Sequence, residues 1–155
     1  MAERLEPGST APDFSLPADG ERTLRLRDYR GRKVVIFVYP RDDTSGCTRE
    51  AKELSALKSA FNDSETSIIG ISADSVSSHE KFKSQHDLDV DLASDVETDV
   101  LVVYGVWVDK SLYGRSFMGI ERTTLLVDQK GKIARIWRKV KVTGHADEVL
   151  RAAQN

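Results

Sequence analysis

The segment Lys33-Val34-Val35-Ile36-Phe37-Val38-Tyr39 is apolar at every position after the first and lies between Gly31 and Pro40. A strand with no polar face must be covered on both sides, which places it inside a sheet flanked by helices. The rest of the chain supplies suitable neighbours. A loop runs from Pro40 to Gly46. A helical pattern follows from Thr48 to about Phe61, with Ala51, Leu54, Leu57 and Phe61 on one face. Ser67 to Ser72 reads as a second buried strand, and Ser75 as the cap of a helix running to about His86. Leu88 to Leu92 alternates with Asp, and Val96 to Tyr104 has helical spacing. Arg122–Val127 and Lys132–Trp137 read as strands joined by the turn Asp128-Gln129-Lys130-Gly131. His145 to Ala153 reads as a closing amphipathic helix. Before all of these, Thr10 to Arg27 reads as two extended segments around Ala18-Asp19-Gly20. The expectation is an α/β fold with a mixed central sheet. No repeat or linker interrupts the 155 residues, so one domain, 1–155, is expected.

Composition narrows the function classes. The 23 Lys and Arg against 25 Asp and Glu leave a formal charge of −2, so no basic field gathers nucleic acid. The run Val34–Tyr39 is far short of the ~18 apolar residues of a membrane span. The first residues carry no apolar stretch, and a cytoplasmic protein is expected. No Gly-rich phosphate motif occurs, so no nucleotide or other cofactor is expected. Asp87-x-Asp89-x-Asp91 lacks the later Gly and Glu of a calcium loop and reads as solvent-facing carboxylates. His79, His86 and His145 are scattered and read as surface histidines, so no metal site is expected. Trp107, Tyr113, Phe117 and Met118 read as packing residues, or as the apolar side of a pocket or dimer contact. The run Arg135–Lys141 reads as a two-faced strand, or as a docking surface for a reductase or anion.

The single cysteine, Cys47, excludes an internal disulfide and a cysteine zinc site. It follows a buried strand and a polar loop and opens a helix. A helix start offers free N–H groups and the positive end of the macrodipole, which favour a thiolate, the nucleophilic form of the side chain. Elsewhere a lone cysteine is simply a small buried hydrophobe, and that reading stays open beside the reactive one. The preceding residues carry the spacing Pro40-x-x-x-Thr44-x-x-Cys47. A loop curling into the helix would bring the Thr44 hydroxyl and the thiol to one small volume. Gly46 leaves that volume unobstructed, and the free N–H groups suit a bound oxygen.

With this motif the chain resembles the peroxiredoxins, specifically the bacterioferritin-comigratory, or Q, type. The likeness extends through Ala11-Pro12-Asp13-Phe14, Asp42 to Ala51, Ile69 to Ser72, Tyr113-Gly114, Gly119 to Thr124 and Trp137 to Val142. The resemblance implies a thioredoxin-like fold with an N-terminal β extension and a thiol peroxidase acting on hydrogen peroxide or alkyl hydroperoxides. It implies that Cys47 attacks the peroxide, Pro40 shields the thiolate, Thr44 hydrogen-bonds the peroxide, and Arg122 activates the thiolate. Glu50 matches a position that orients that arginine. Independently, a thiolate in a dry pocket needs a cation, and a guanidinium cannot lose its proton. Relatives often carry a resolving cysteine where this chain has Lys52 or Lys83. No resolving cysteine remains, so the implied reductant is external: thioredoxin, glutaredoxin or a small thiol. A monomer or weak dimer is expected. A peroxide-sensing relay on the same fold is the competing reading. A Cys-x-x-Cys oxidoreductase is excluded, because Thr44 holds the first position.

Overall fold

The computed structural model describes residues 5–155. The strand anticipated from the apolar run is β3 (Lys33–Val38), an inner strand of the main sheet. Strands β1 (Ser15–Ala18), β2 (Arg22–Arg25), β4 (Thr66–Ser72), β5 (Asp91–Ser94), β8 (Thr123–Val127) and β9 (Ile133–Trp137) complete a seven-stranded sheet in the order β2-β1-β5-β4-β3-β8-β9. β4 is parallel to β3 and β5, whereas β8 and the β1–β2 extension are antiparallel to their neighbours, so the sheet is mixed.

Alternation along β3 splits the core in two. Val34, Ile36 and Val38 face one apolar layer, which holds Phe14, Ile69, Leu101, Tyr104 and Leu125. Val35, Phe37 and Tyr39 face the other, formed with Leu54, Phe61, Phe82, Leu126 and Val149. The second layer is covered by α1 (Ser45–Ala56), α2 (Lys58–Asp63), α3 (Val76–His86) and α5 (His145–Gln154). A short α4 (Asp99–Val103) lies against the first through Leu101. Cys47 belongs to the second layer.

The structure corrects several expectations. The helix expected from Thr48 begins at Ser45: Thr44 is extended, and its carbonyl accepts the Thr48 N–H at 2.8 Å. The pattern to Phe61 is interrupted at Leu57, whose N–H turns back to Leu54 and Ser55, separating α1 from α2. The histidines are not surface residues. His79 and His145 are buried, each with a hydrogen-bonding partner inside, and His86 is partly covered. A hairpin, β6 (Trp107–Leu112) with β7 (Arg115–Ile120), forms a separate two-stranded sheet. Its turn places Tyr113 and Gly114 at φ 53° and 78°, the positive pair that a two-residue hairpin turn requires. Tyr113, Phe117 and Met118 are exposed there rather than packed, and Trp107 alone of that group leans on the core.

Candidate active site

The site lies where the chain leaves β3 and enters α1. Cys47 is the third residue of the helix and is only 1% exposed. At that position the thiol meets the unpaired end of the helix and its dipole. The Arg122 guanidinium reaches it from the residue before β8, with Nη2 donating to Sγ at 3.2 Å. β8 pairs with β3, and the sheet register thereby places Arg122 beside the exit of β3. The opposite nitrogen, Nη1, donates to Glu50 Oε1 at 2.7 Å. Cys47 and Glu50 are one helical turn apart, so a single guanidinium spans both.

Gly46 eases this approach. A Cβ built on it would sit 3.3 Å from Arg122 Nη2, tighter than most side-chain packing. The guanidinium therefore packs close to the first turn.

The charges are tuned by burial. Glu50 is 2% exposed, and its Oε2 is buried without a partner. Burial pushes its carboxyl up to about 7, and Arg122 pulls against that shift. Burial disfavours the Arg122 cation, but Glu50 and Cys47 outweigh it and raise its pKa. The guanidinium stays charged, and a thiolate at Cys47 is charge-compensated in a nearly dry site.

Of the residues singled out in the sequence, the structure brings Cys47, Gly46, Glu50 and Arg122 together. Thr44 heads the helix, and its hydroxyl donates to the Arg41 carbonyl at 3.0 Å. Pro40 lies exposed just past β3. Lys52 is exposed on α1, and Lys83 pairs with Asp19 at 2.7 Å, so both positions of a second cysteine are taken by solvated or ion-paired lysines.

Sequence reasoning missed the polar layer beneath the loop. Tyr39, Asp42, Asp74, Ser78 and His79 form one connected network. Asp42, Asp74 and His79 offer ligand atoms within 4.8 Å of one another. Hydroxyl, amide and ring N–H donors already engage those atoms, so protein hydrogens fill the space a cation would need. The sequence signal is a pair of adjacent aspartates, Asp42 and Asp43, in the loop leaving a buried strand.

A thiol held by one fixed cation, on a thioredoxin-type sheet and with no second cysteine, fits a thiol-based peroxidase. Residues 7–136 match the model of the AhpC/TSA family, and the chain belongs to that family, the peroxiredoxins. It is 44% identical over 146 residues to the putative peroxiredoxin bcp of Coxiella burnetii, covering 94% of this chain and 97% of that protein. It is 40% identical over 151 residues to peroxiredoxin Bcp of Bacillus subtilis, covering 97% and 96% respectively. Among solved structures, Xanthomonas campestris peroxiredoxin Q superposes with a TM-score of 0.89 at 38% identity, covering 97% of this chain and 95% of that one. Another structure of a Xanthomonas campestris bacterioferritin comigratory protein, solved to study alkyl peroxide reduction, has the same TM-score at 36% identity, covering 99% and 98%. Solved Xanthomonas campestris peroxiredoxin Q structures include serine variants at two different cysteines, whereas this chain has Cys47 alone. It is a one-cysteine, Q-type member, a thiol-dependent peroxidase. No helix among the described residues is long and apolar enough to cross a membrane.

Proposed function

We propose that Cys47 reduces hydrogen peroxide and organic hydroperoxides and is restored by a thiol from another molecule. The sulfur attacks the terminal peroxide oxygen and the O–O bond breaks. Water or an alcohol leaves with the proton, and Cys47 becomes a sulfenic acid. A thiol RSH then attacks that sulfur, forming a mixed disulfide and releasing water. A second RSH yields RSSR and the free thiol. Small thiols, glutaredoxin and thioredoxin are the candidate donors.

The observation that carries this reading is the Arg122 guanidinium, which bonds Cys47 and Glu50 at once. It neutralises the attacking sulfur and, held in place by Glu50, faces the charge that develops on the leaving oxygen. The Thr44 proton is committed to Arg41, so its oxygen is free to accept the peroxide O–H. Pro40, next to that loop, shields the thiolate from water. The whole chain, 1–155, acts as one domain, as a monomer or weak dimer in the cytoplasm.

The test offers peroxide to the reduced protein with thiol donors supplied separately. Repeated turnover with at least one donor is expected, and Cys47→Ser should consume none. Full activity in that variant would sink the mechanism. One oxidation without turnover under every donor would favour the relay instead.

A further inference from the structure

We propose that His79 is a positioning residue for the peroxide step, fastening the loop that carries Pro40 and Thr44 so that the first turn of α1 is presented correctly. This rests on the function proposed above and adds a residue outside the Cys47–Arg122–Glu50 cluster.

Residues Arg41 to Gly46 contain no apolar side chain, so hydrophobic burial cannot fix this loop. Polar contacts hold it instead, and they converge on α3. The Asp42 carboxylate accepts from the Tyr39 hydroxyl at 2.6 Å, from the Ser78 hydroxyl at 2.8 Å and from His79 Nδ1 at 2.7 Å. The Asp42 N–H donates to Asp74 at 2.8 Å, and Asp74 also accepts from the Ser72 hydroxyl at 2.6 Å. At the far end of α3, His86 Nε2 and Asp43 are 2.7 Å apart. Asp43 is also the loop residue with a positive φ, 62°, in the left-handed region that Asp enters more readily than most residues.

His79 is the centre of this arrangement. It is fully buried, and its Nε2 lies 3.0 Å from the Ala93 carbonyl on β5. The Ala93 carbonyl can only accept, so Nε2 carries a hydrogen, while Nδ1 and the Asp42 carboxylate share one between them. The ring bridges the rigid sheet to the loop, at a point two residues before Thr44 and five before Cys47. Burial opposes the Asp42 charge, but His79, Tyr39 and Ser78 together hold its carboxyl below the usual range. An ionised Asp42 keeps all three donors aimed at the loop.

Two substitutions separate the two ends of the bridge. In His79→Asn the amide nitrogen stands near Nδ1 and keeps the bond to Asp42. In His79→Gln it stands near Nε2 and keeps only the bond to Ala93. The experiment is stopped-flow oxidation of Cys47 by hydrogen peroxide in the intact protein, with alkylation of Cys47 by iodoacetamide as a reference reaction that needs no peroxide alignment. His79→Gln should lose roughly 10- to 100-fold in the peroxide rate, the cost of misplacing a reacting group. Its alkylation rate should change less than about twofold, and His79→Asn should recover most of the peroxide rate. Should either variant fail to fold, Ser78→Ala removes a different donor from Asp42 and should slow the peroxide step about threefold, with alkylation again spared.

Folded variants that all oxidise at the wild-type rate overturn the inference. Equal loss of both reactions in every variant also overturns it, because that is what general destabilisation produces. Absence of peroxide oxidation in the wild type would instead overturn the proposed function, and the two failures are thereby distinguished.

Discussion

Arg122 meets the sulfur with Nη2 and the Glu50 carboxylate with Nη1. Replacing it with Met keeps the length and removes the charge. The peroxide rate of Arg122→Met should fall about 10²- to 10³-fold, the cost of removing one preorganised donor, measured as the second-order rate of Cys47 oxidation. Arg122→Lys should recover only part of this, since a lysine ammonium is one point charge and cannot present two fixed nitrogens at once. Glu50 yields a prediction about pH. An unperturbed glutamate ionises near 4.5, and burial moves this one to about 7 in the fold. Between those values the unfolded chain has lost its proton while the folded protein keeps it. Unfolding therefore releases a proton, and stability falls as pH rises through the window, by roughly 3 kcal/mol once pH exceeds 7. Glu50→Gln should flatten this slope in urea unfolding at pH 5 and pH 8. An unchanged slope would show that Arg122 keeps Glu50 ionised throughout.

At the level of elements, the sequence disclosed the order of strands and helices because burial on both faces of β3 and β4 leaves an unmistakable apolar run. Cys47 stood out by its place between a buried strand and a helix, and Arg122 by the resemblance; the structure sets their side chains 3.2 Å apart. The sequence misplaced the start of α1 by three residues, since Ser45 and Gly46 are poor helix formers and only the Thr44 carbonyl reveals the first bond. The hairpin β6–β7 escaped because its turn is Tyr-Gly rather than Asn-Gly and its strands have little buried face. The buried histidines escaped because polar burial depends on partners distant in sequence, such as Ala93 for His79 and Thr124 for His145. The contact between Gly46 and the guanidinium predicts that Gly46→Ala displaces Arg122. Peroxide oxidation should slow by about tenfold or more while far-ultraviolet circular dichroism shows the helices intact.

For the whole molecule, one thiol sets the products at cysteine. After one equivalent of peroxide, intact-mass spectrometry should show Cys47 gaining one oxygen, or a thiol adduct when a donor is added. A loss of two hydrogens within one chain has no second cysteine to account for it. The exposed hairpin should matter little to folding. Phe117→Ser should shift stability by no more than about 0.5 kcal/mol in denaturant unfolding, because Phe117 is already 46% exposed.

The burial of Cys47 has a kinetic meaning. At 1% exposure the sulfur lies below the surface, and a thiol on a second protein needs more room than the closed site offers. With a protein as the thiol donor, the two half-reactions should then draw on different populations of one molecule. Attack on peroxide, the smaller reactant, should need less opening than reduction. Reduction by a protein should use only the fraction in which the first turn of α1 has opened, its observed rate being the intrinsic rate multiplied by that fraction. Mutations that stiffen α1 should therefore slow recovery without slowing attack on peroxide, and the steady state should shift toward oxidised protein even with reductant in excess.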